Sequence, residues 1–181
     1  MSISDEITNR VSEQRLFKLA PLMPPSFGSI LRQVYVSEEI NNILTGPWED
    51  PLWGERCGYL HADLDRFING EIIAVAERPF RKGATAYIKQ LYKRSEEVWE
   101  IRSRDPKPGI RVFGRFAEKD TFVALTLWNR TDLGGPESRA WRDAIVGCKT
   151  EWRNLFPAHE PITDENINDY PNYYLTNTYL V

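Results

Sequence analysis

Five arginines share one strand phase in the middle of this chain: Arg102 and Arg104, then Arg111 and Arg115, then Arg130. A guanidinium is a planar fork of N–H donors that matches phosphate or carboxylate oxygens, so such a cluster is a candidate anion surface. Lys107 stands in the turn between the first two pairs, and Trp128 lies in phase with Arg130. An exposed aromatic beside arginines can stack on a base; packing beneath a helix is the other role open to Trp128. Exposed sheet faces also carry Arg and Lys for solubility alone. An ordinary solvated face mixes the signs, however, and here Glu100 is the one acidic residue in phase.

The elements that must position these side chains are three runs, VWEIRSR, IRVFGRF and TFVALTLWNR, separated by short polar turns. Each alternates apolar and polar residues with a period of two, which predicts strands that bury one face. Trp99 and Ile101, then Ile110, Val112 and Phe116, then Val123, Leu125 and Leu127 fall on the apolar faces. If the strands pair as an antiparallel meander, the arginines gather on the solvated side of one small sheet.

Charge is distributed to match. The net charge is −3, yet residues 78–130 carry 13 Lys or Arg against six Asp or Glu, so the acidic excess lies in the flanking segments. A basic middle between acidic ends fits a local site for phosphate or carboxylate and argues against general nucleic-acid binding by the whole surface. At 181 residues, 41% hydrophobic and 12% aromatic, the chain can bury one good core. Cys57 and Cys148 have no clustered partners, which predicts buried free thiols, and no cofactor motif is present. HADLD, residues 61–65, places His61 and Asp65 on one helical face but turns Asp63 elsewhere, short of a metal site. No long apolar run suggests a signal peptide or membrane span, so no membrane partner is expected and a cytoplasmic location is.

Around the meander, Ile3, Ile7, Val11 and Leu16 read as a docking helix or frayed arm, ILRQVYVS as a strand and SEEINNILTG as a helix with a glycine stop. ERCGYLHADLDRFING reads as a second helix, EIIAVA as an edge strand and ATAYIKQLYKR as a helix. In PESRAWRDAIVGCKTEWRNLF, Trp141, Ile145, Cys148, Trp152 and Leu155 recur at spacings of four and three and predict a helix with a core-facing stripe. The last 25 residues hold four of the eight tyrosines, four acidic residues and no Lys or Arg.

The order strand, helix, helix, three antiparallel strands, with the words VWEIRSRDPKPGIRVFGRF and TFVALTL, resembles the RelE/ParE toxin superfamily over about residues 34–130. The likeness is to its phage-derived, HigB-like branch, whose strands read L-W-E-[LIV]-R and then Y-R-V-F-Y. The resemblance implies an α+β fold, a small curved antiparallel sheet packed on helices, at residues 34–135. Residues 1–33 are then an N-terminal arm, and residues 136–181 a C-terminal helix and acidic tail on the same domain. It implies an endoribonuclease acting on messenger RNA at the ribosome, with an antitoxin as partner. Cleavage of that kind needs an activated 2′-hydroxyl, a stabilised pentacoordinate phosphate and a protonated leaving oxygen. By resemblance Arg111 takes the place of the arginine that contacts the scissile phosphate and Arg130 a matching place on the last strand; Arg102, Arg104, Arg115, Lys107 and Trp128 would bind RNA. No histidine lies in the meander, and an obvious general base is missing. The alternative is therefore a catalytically inactive scaffold, serving as an interaction module or homodimer. In either case the acidic tail, with Glu160, Asp164, Glu165 and Asp169, is expected to shield the arginine face.

Overall fold

A computed structural model describes residues 1–24, 31–76, 85–91, 93–163 and 170–181. The fold is α+β, built on a single eight-stranded mixed sheet with helices on both faces. The strands are β1 (Leu16–Lys18), β2 (Gln33–Ser37), β3 (Ile73–Val75), β4 (Ile88–Gln90), β5 (Trp99–Ser103), β6 (Ile110–Glu118), β7 (Thr121–Asn129) and β8 (Thr178–Leu180). The helices are α1 (Ile3–Ser12), α2 (Glu38–Thr45), α3 (Pro51–Ile68) and α4 (Arg139–Leu155). Spatial order is β1-β2-β7-β6-β5-β4-β3-β8. The sheet is thus larger than the small antiparallel one expected, because the N-terminal arm adds β1 at one edge and the tail adds β8 at the other.

Local chemistry starts each helix. Ser2 and Asp5 form a capping box on α1, Ser37 caps α2, Asp50 caps α3 ahead of Pro51, and Ser138 accepts from the Trp141 amide on α4. Gly46 ends α2 at φ +68°, a conformation that costs a residue with a Cβ but not glycine. The predicted helix in ATAYIKQLYKR is corrected, over its described residues, to β4. Ile88 and Gln90 there bury against β5 in strand alternation. EIIAVA is a strand but not an edge, since β3 pairs parallel with both β4 and β8.

β5, β6 and β7 form the antiparallel meander that the alternation predicts. One apolar cluster, with Trp99, Ile101, Val112 and Phe116, packs under α2, α3 and the tail residues Tyr174 and Leu175. The second, with Phe113, Val123 and Leu125, packs under α4 through Trp141, Ala144, Cys148 and Trp152. The register slips between Phe113 and Gly114, so that Gly114 pairs with Ala124. That bulge sets Val123 and Leu125 on the α4 side and Leu127 on the other, where strict alternation put all three together. A Cβ on Gly114 would run into the Val123 carbonyl and the Phe122 ring, so the close approach requires glycine.

The described part of the tail is core. Tyr174 hydroxyl donates to Glu97 at 2.9–3.0 Å, and the Asp120 carboxylate accepts from the Thr176 amide at 2.8 Å. Arg32, 1% exposed, donates to the carbonyls of Phe67, Glu71, Thr176 and Asn177 at 2.7–3.1 Å. Replacing Arg32 with Met leaves four carbonyls short of a donor and is expected to cost about 3 kcal/mol, read as a lowered urea midpoint. Gly114→Ala is expected to destabilise as well; an unchanged midpoint in either variant contradicts the packing described.

Candidate functional site

The meander brings Arg102, Arg111 and Trp128 into one cross-strand row, with Lys89, Glu100, Phe113 and Thr126 in the next. The sequence places these side chains on one face correctly. That face is only partly solvated, however: α4 packs across it through Trp152, which lies over Arg115, and Arg115 and Arg111 are 5% and 6% exposed. That packing follows from the α4 stripe, which needs an apolar floor and takes it from Phe113, Val123 and Leu125.

Two arginines expected to meet RNA are therefore held by the protein itself. Arg111 donates Nη1 to the carbonyls of Ser103 and Ile110 at 3.3 and 3.0 Å, and its Nε lies 3.7 Å from Glu100 Oε2. Burial lowers Arg111 to about 10, against the pull of Glu100. Arg115 donates to the Glu97 and Glu96 carbonyls at 3.3 and 2.9 Å and lies 5.4 Å from the Trp152 ring. Arg130 donates to the Gly134 carbonyl and stands over Trp141, and Trp128 packs partly buried against the α4 cluster. Arg115, Arg130 and Trp128 serve the junction between the sheet and α4, and Arg111 is held within the sheet.

Glu100 is the hub of this layer. It is 2% exposed and faces Arg102, Arg111, Lys89 and Arg130; burial pushes its carboxyl above the ordinary value of 4.5, and the cations pull against that. Burial likewise raises Glu97, with Tyr174 and Gln90 opposing through hydrogen bonds. Both thiols are buried, and burial pushes Cys148 up to about 12.

The remaining sequence candidates come together elsewhere. Arg102 and Arg104 line a cleft of about 330 Å³ bounded by α3, by β3 and β8, and by the residues leading into β4. Lys107, 75% exposed, donates to the Arg104 carbonyl at 3.0 Å and stands 3.7 Å from Asp105 Oδ1. Arg104 donates to the Ala86 carbonyl at 3.1 Å; burial first, then Arg102, holds its pKa down. From α3 the cleft receives Tyr59, Asp63 and Arg66, from β8 it receives Tyr179, and Tyr87, Ile72 and Asp105 are among its other lining residues. Tyr59 and Tyr179 are 51% and 52% exposed, so their rings are open to a ligand. Arg66 bonds Glu71 at 3.0 Å, and its Nη1 stands 3.9 Å from Asp63 Oδ1. Burial raises Asp63, with the Ser103 hydroxyl and Arg66 acting against it.

Sequence reasoning missed Tyr59, Asp63, Arg66 and Tyr179 as site residues. The HADLD motif drew attention to Asp63, but nothing in the sequence shows the tail returning as β8 beside α3. Among the described residues, Tyr174 and Leu175 of the tail pack in the cluster on the face opposite α4, and Glu160 acts on Arg115. Asp164, Glu165 and Asp169 lie outside the described residues. Among the described residues, no helix is long and apolar enough to cross a membrane. No protein-family model matches the chain, and no curated protein or solved structure matches it.

Two outcomes test this layer. Arg111→Met removes one partner of a buried pair and is expected to cost on the order of 3 kcal/mol of stability, measured by urea unfolding. Glu97 and Glu100 bind protons more tightly folded than unfolded, so their contribution to stability is lost as pH rises from 4.5 through their folded values. Glu97→Gln or Glu100→Gln should flatten that decline; a slope unchanged from the parent protein contradicts the assignment.

Proposed function

We propose that this is a RelE-like protein that binds the phosphates of single-stranded RNA at the α3–β8 cleft and does not cleave the strand. One observation carries this reading: Arg102 and Arg104 line one concave site beside the open rings of Tyr59 and Tyr179, with Lys107 bonded to the Arg104 carbonyl next to it. Cations that track a backbone, set among aromatics on which bases stack, are the parts from which single-strand sites are made. The succession of β2, α2, α3 and the β5–β6–β7 meander supports the RelE-like part of the reading. The burial of Arg111 favours the non-cleaving form, because the arginine matched by resemblance to the scissile phosphate faces Glu100 and main-chain carbonyls instead.

Fluorescence anisotropy with a labelled single-stranded RNA tests the binding. Three cations in contact with phosphates predict a slope of about −2 in log affinity against log salt concentration. The Arg102→Glu/Arg104→Glu double variant is expected to lose at least tenfold in affinity at low salt and most of that slope. Salt-independent binding, or a double variant that binds like the parent, defeats the proposal. The labelled strand should remain intact on a denaturing gel after prolonged incubation, and cleavage that Arg111→Met abolishes would restore the nuclease reading.

A further inference from the structure

We infer that the same cleft selects guanine, with Asp63 accepting from the base while Arg104 and Arg102 hold its phosphate. The inference rests on the phosphate-binding reading of the cleft and adds the identity of the base.

Two carboxylates line the cleft: Asp105, which faces Lys107 at 3.7 Å, and Asp63, which α3 presents to it. The Asp63 carboxylate is 25% exposed, and its main-chain carbonyl, not its side chain, takes the Tyr87 hydroxyl at 2.6 Å. Of the described residues, the Ser103 hydroxyl beside it acts on the side chain as a donor, and the Arg66 guanidinium is 3.9 Å away and engaged with Glu71. A carboxylate carries about four acceptor positions, so the side chain is short of donors and faces a cleft from which a ligand can supply them.

Guanine supplies them best. Its N1–H and N2 amino group are adjacent donors on one edge, spaced for the two oxygens of a carboxylate. Adenine and cytosine each place an amino donor beside an acceptor nitrogen, and uracil sets one N–H between two carbonyls, so each turns an acceptor toward Asp63. Recognition of an unstacked base through this edge, with the ring against an aromatic side chain, is the usual mode for single-stranded RNA. The site has the size for one nucleotide, at about 330 Å³. It also has charge of both signs, Asp63 and Arg66 from α3 and Arg102, Arg104 and Asp105 from the β5 end; with Arg66 engaged by Glu71 and Asp105 facing Lys107, Asp63 and the two β5 arginines suit a ligand with donors and a phosphate.

Isothermal titration calorimetry of the full chain with the 5′-monophosphates of guanosine, adenosine, cytidine and uridine tests this. The guanosine nucleotide is expected to bind roughly tenfold more tightly than the other three, the discrimination of one good bidentate contact. Asp63→Asn is expected to erase the preference and leave the weak common affinity, and Arg104→Glu to weaken all four. The comparison within the unaltered protein needs no variant, and thermal melts establish that each variant is folded. Equal affinity for the four nucleotides overturns guanine selection and leaves the phosphate-binding reading standing. Binding of the labelled single-stranded RNA with no binding of any mononucleotide also overturns it. Absence of binding to both the nucleotides and the RNA overturns this inference and the proposed function together.

Discussion

The guanidinium of Arg32 is the contact on which the rest of the molecule hangs. It is fully buried against the Phe67 ring, 5.1 Å from its centroid, and its N–H groups tie the end of α3 to the returning tail through four carbonyls. Asp120, at the tip of the β6–β7 turn, stands 3.7 Å away and itself binds Thr176 through both amide and hydroxyl. An unpaired cation at such depth is unfavourable, and this one has Asp120 on one side and oriented carbonyls in the place of water on the other. Because those carbonyls come from α3 and the tail, the arginine fixes where β8 runs relative to α3. The cleft is the space between them.

The same economy of buried charge shapes the other face. Four cations converge on Glu100, and two arginines there spend their donors on main-chain oxygens. Such a layer leaves little of Arg111 or Arg115 for an external ligand. Arg102 is the exception, since it belongs both to the Glu100 layer and to the cleft, and it joins the buried charge network to the open site.

Much of the fold was legible one element at a time. The period-two runs of β5, β6 and β7, the α4 stripe and the glycine after α2 all follow from local rules about which faces bury and where a chain can turn. The capping serines act the same way. The misreadings have tertiary causes. The stretch read as a helix around Tyr87 is a strand because its Ile88 and Gln90 find partners in β5, and no local preference encodes that pairing. The bulge at Gly114 breaks a phase that looked continuous, since alternation in sequence carries no mark of a register slip.

For the site, residue types and spacing by themselves determined that Arg102, Arg111 and Trp128 share a face, that a basic segment lies within an acidic chain, and that the thiols are buried and free. The tertiary structure decided which arginines are available. Whether a sheet face meets solvent depends on what a helix many residues away needs to cover, and α4 needed the face that holds Arg115. Whether Asp63 belongs to a site depends on the tail returning beside α3, held there by the buried donors of Arg32. Covering a face and closing a cleft are long-range events driven by burial, and a local pattern of side chains does not contain them.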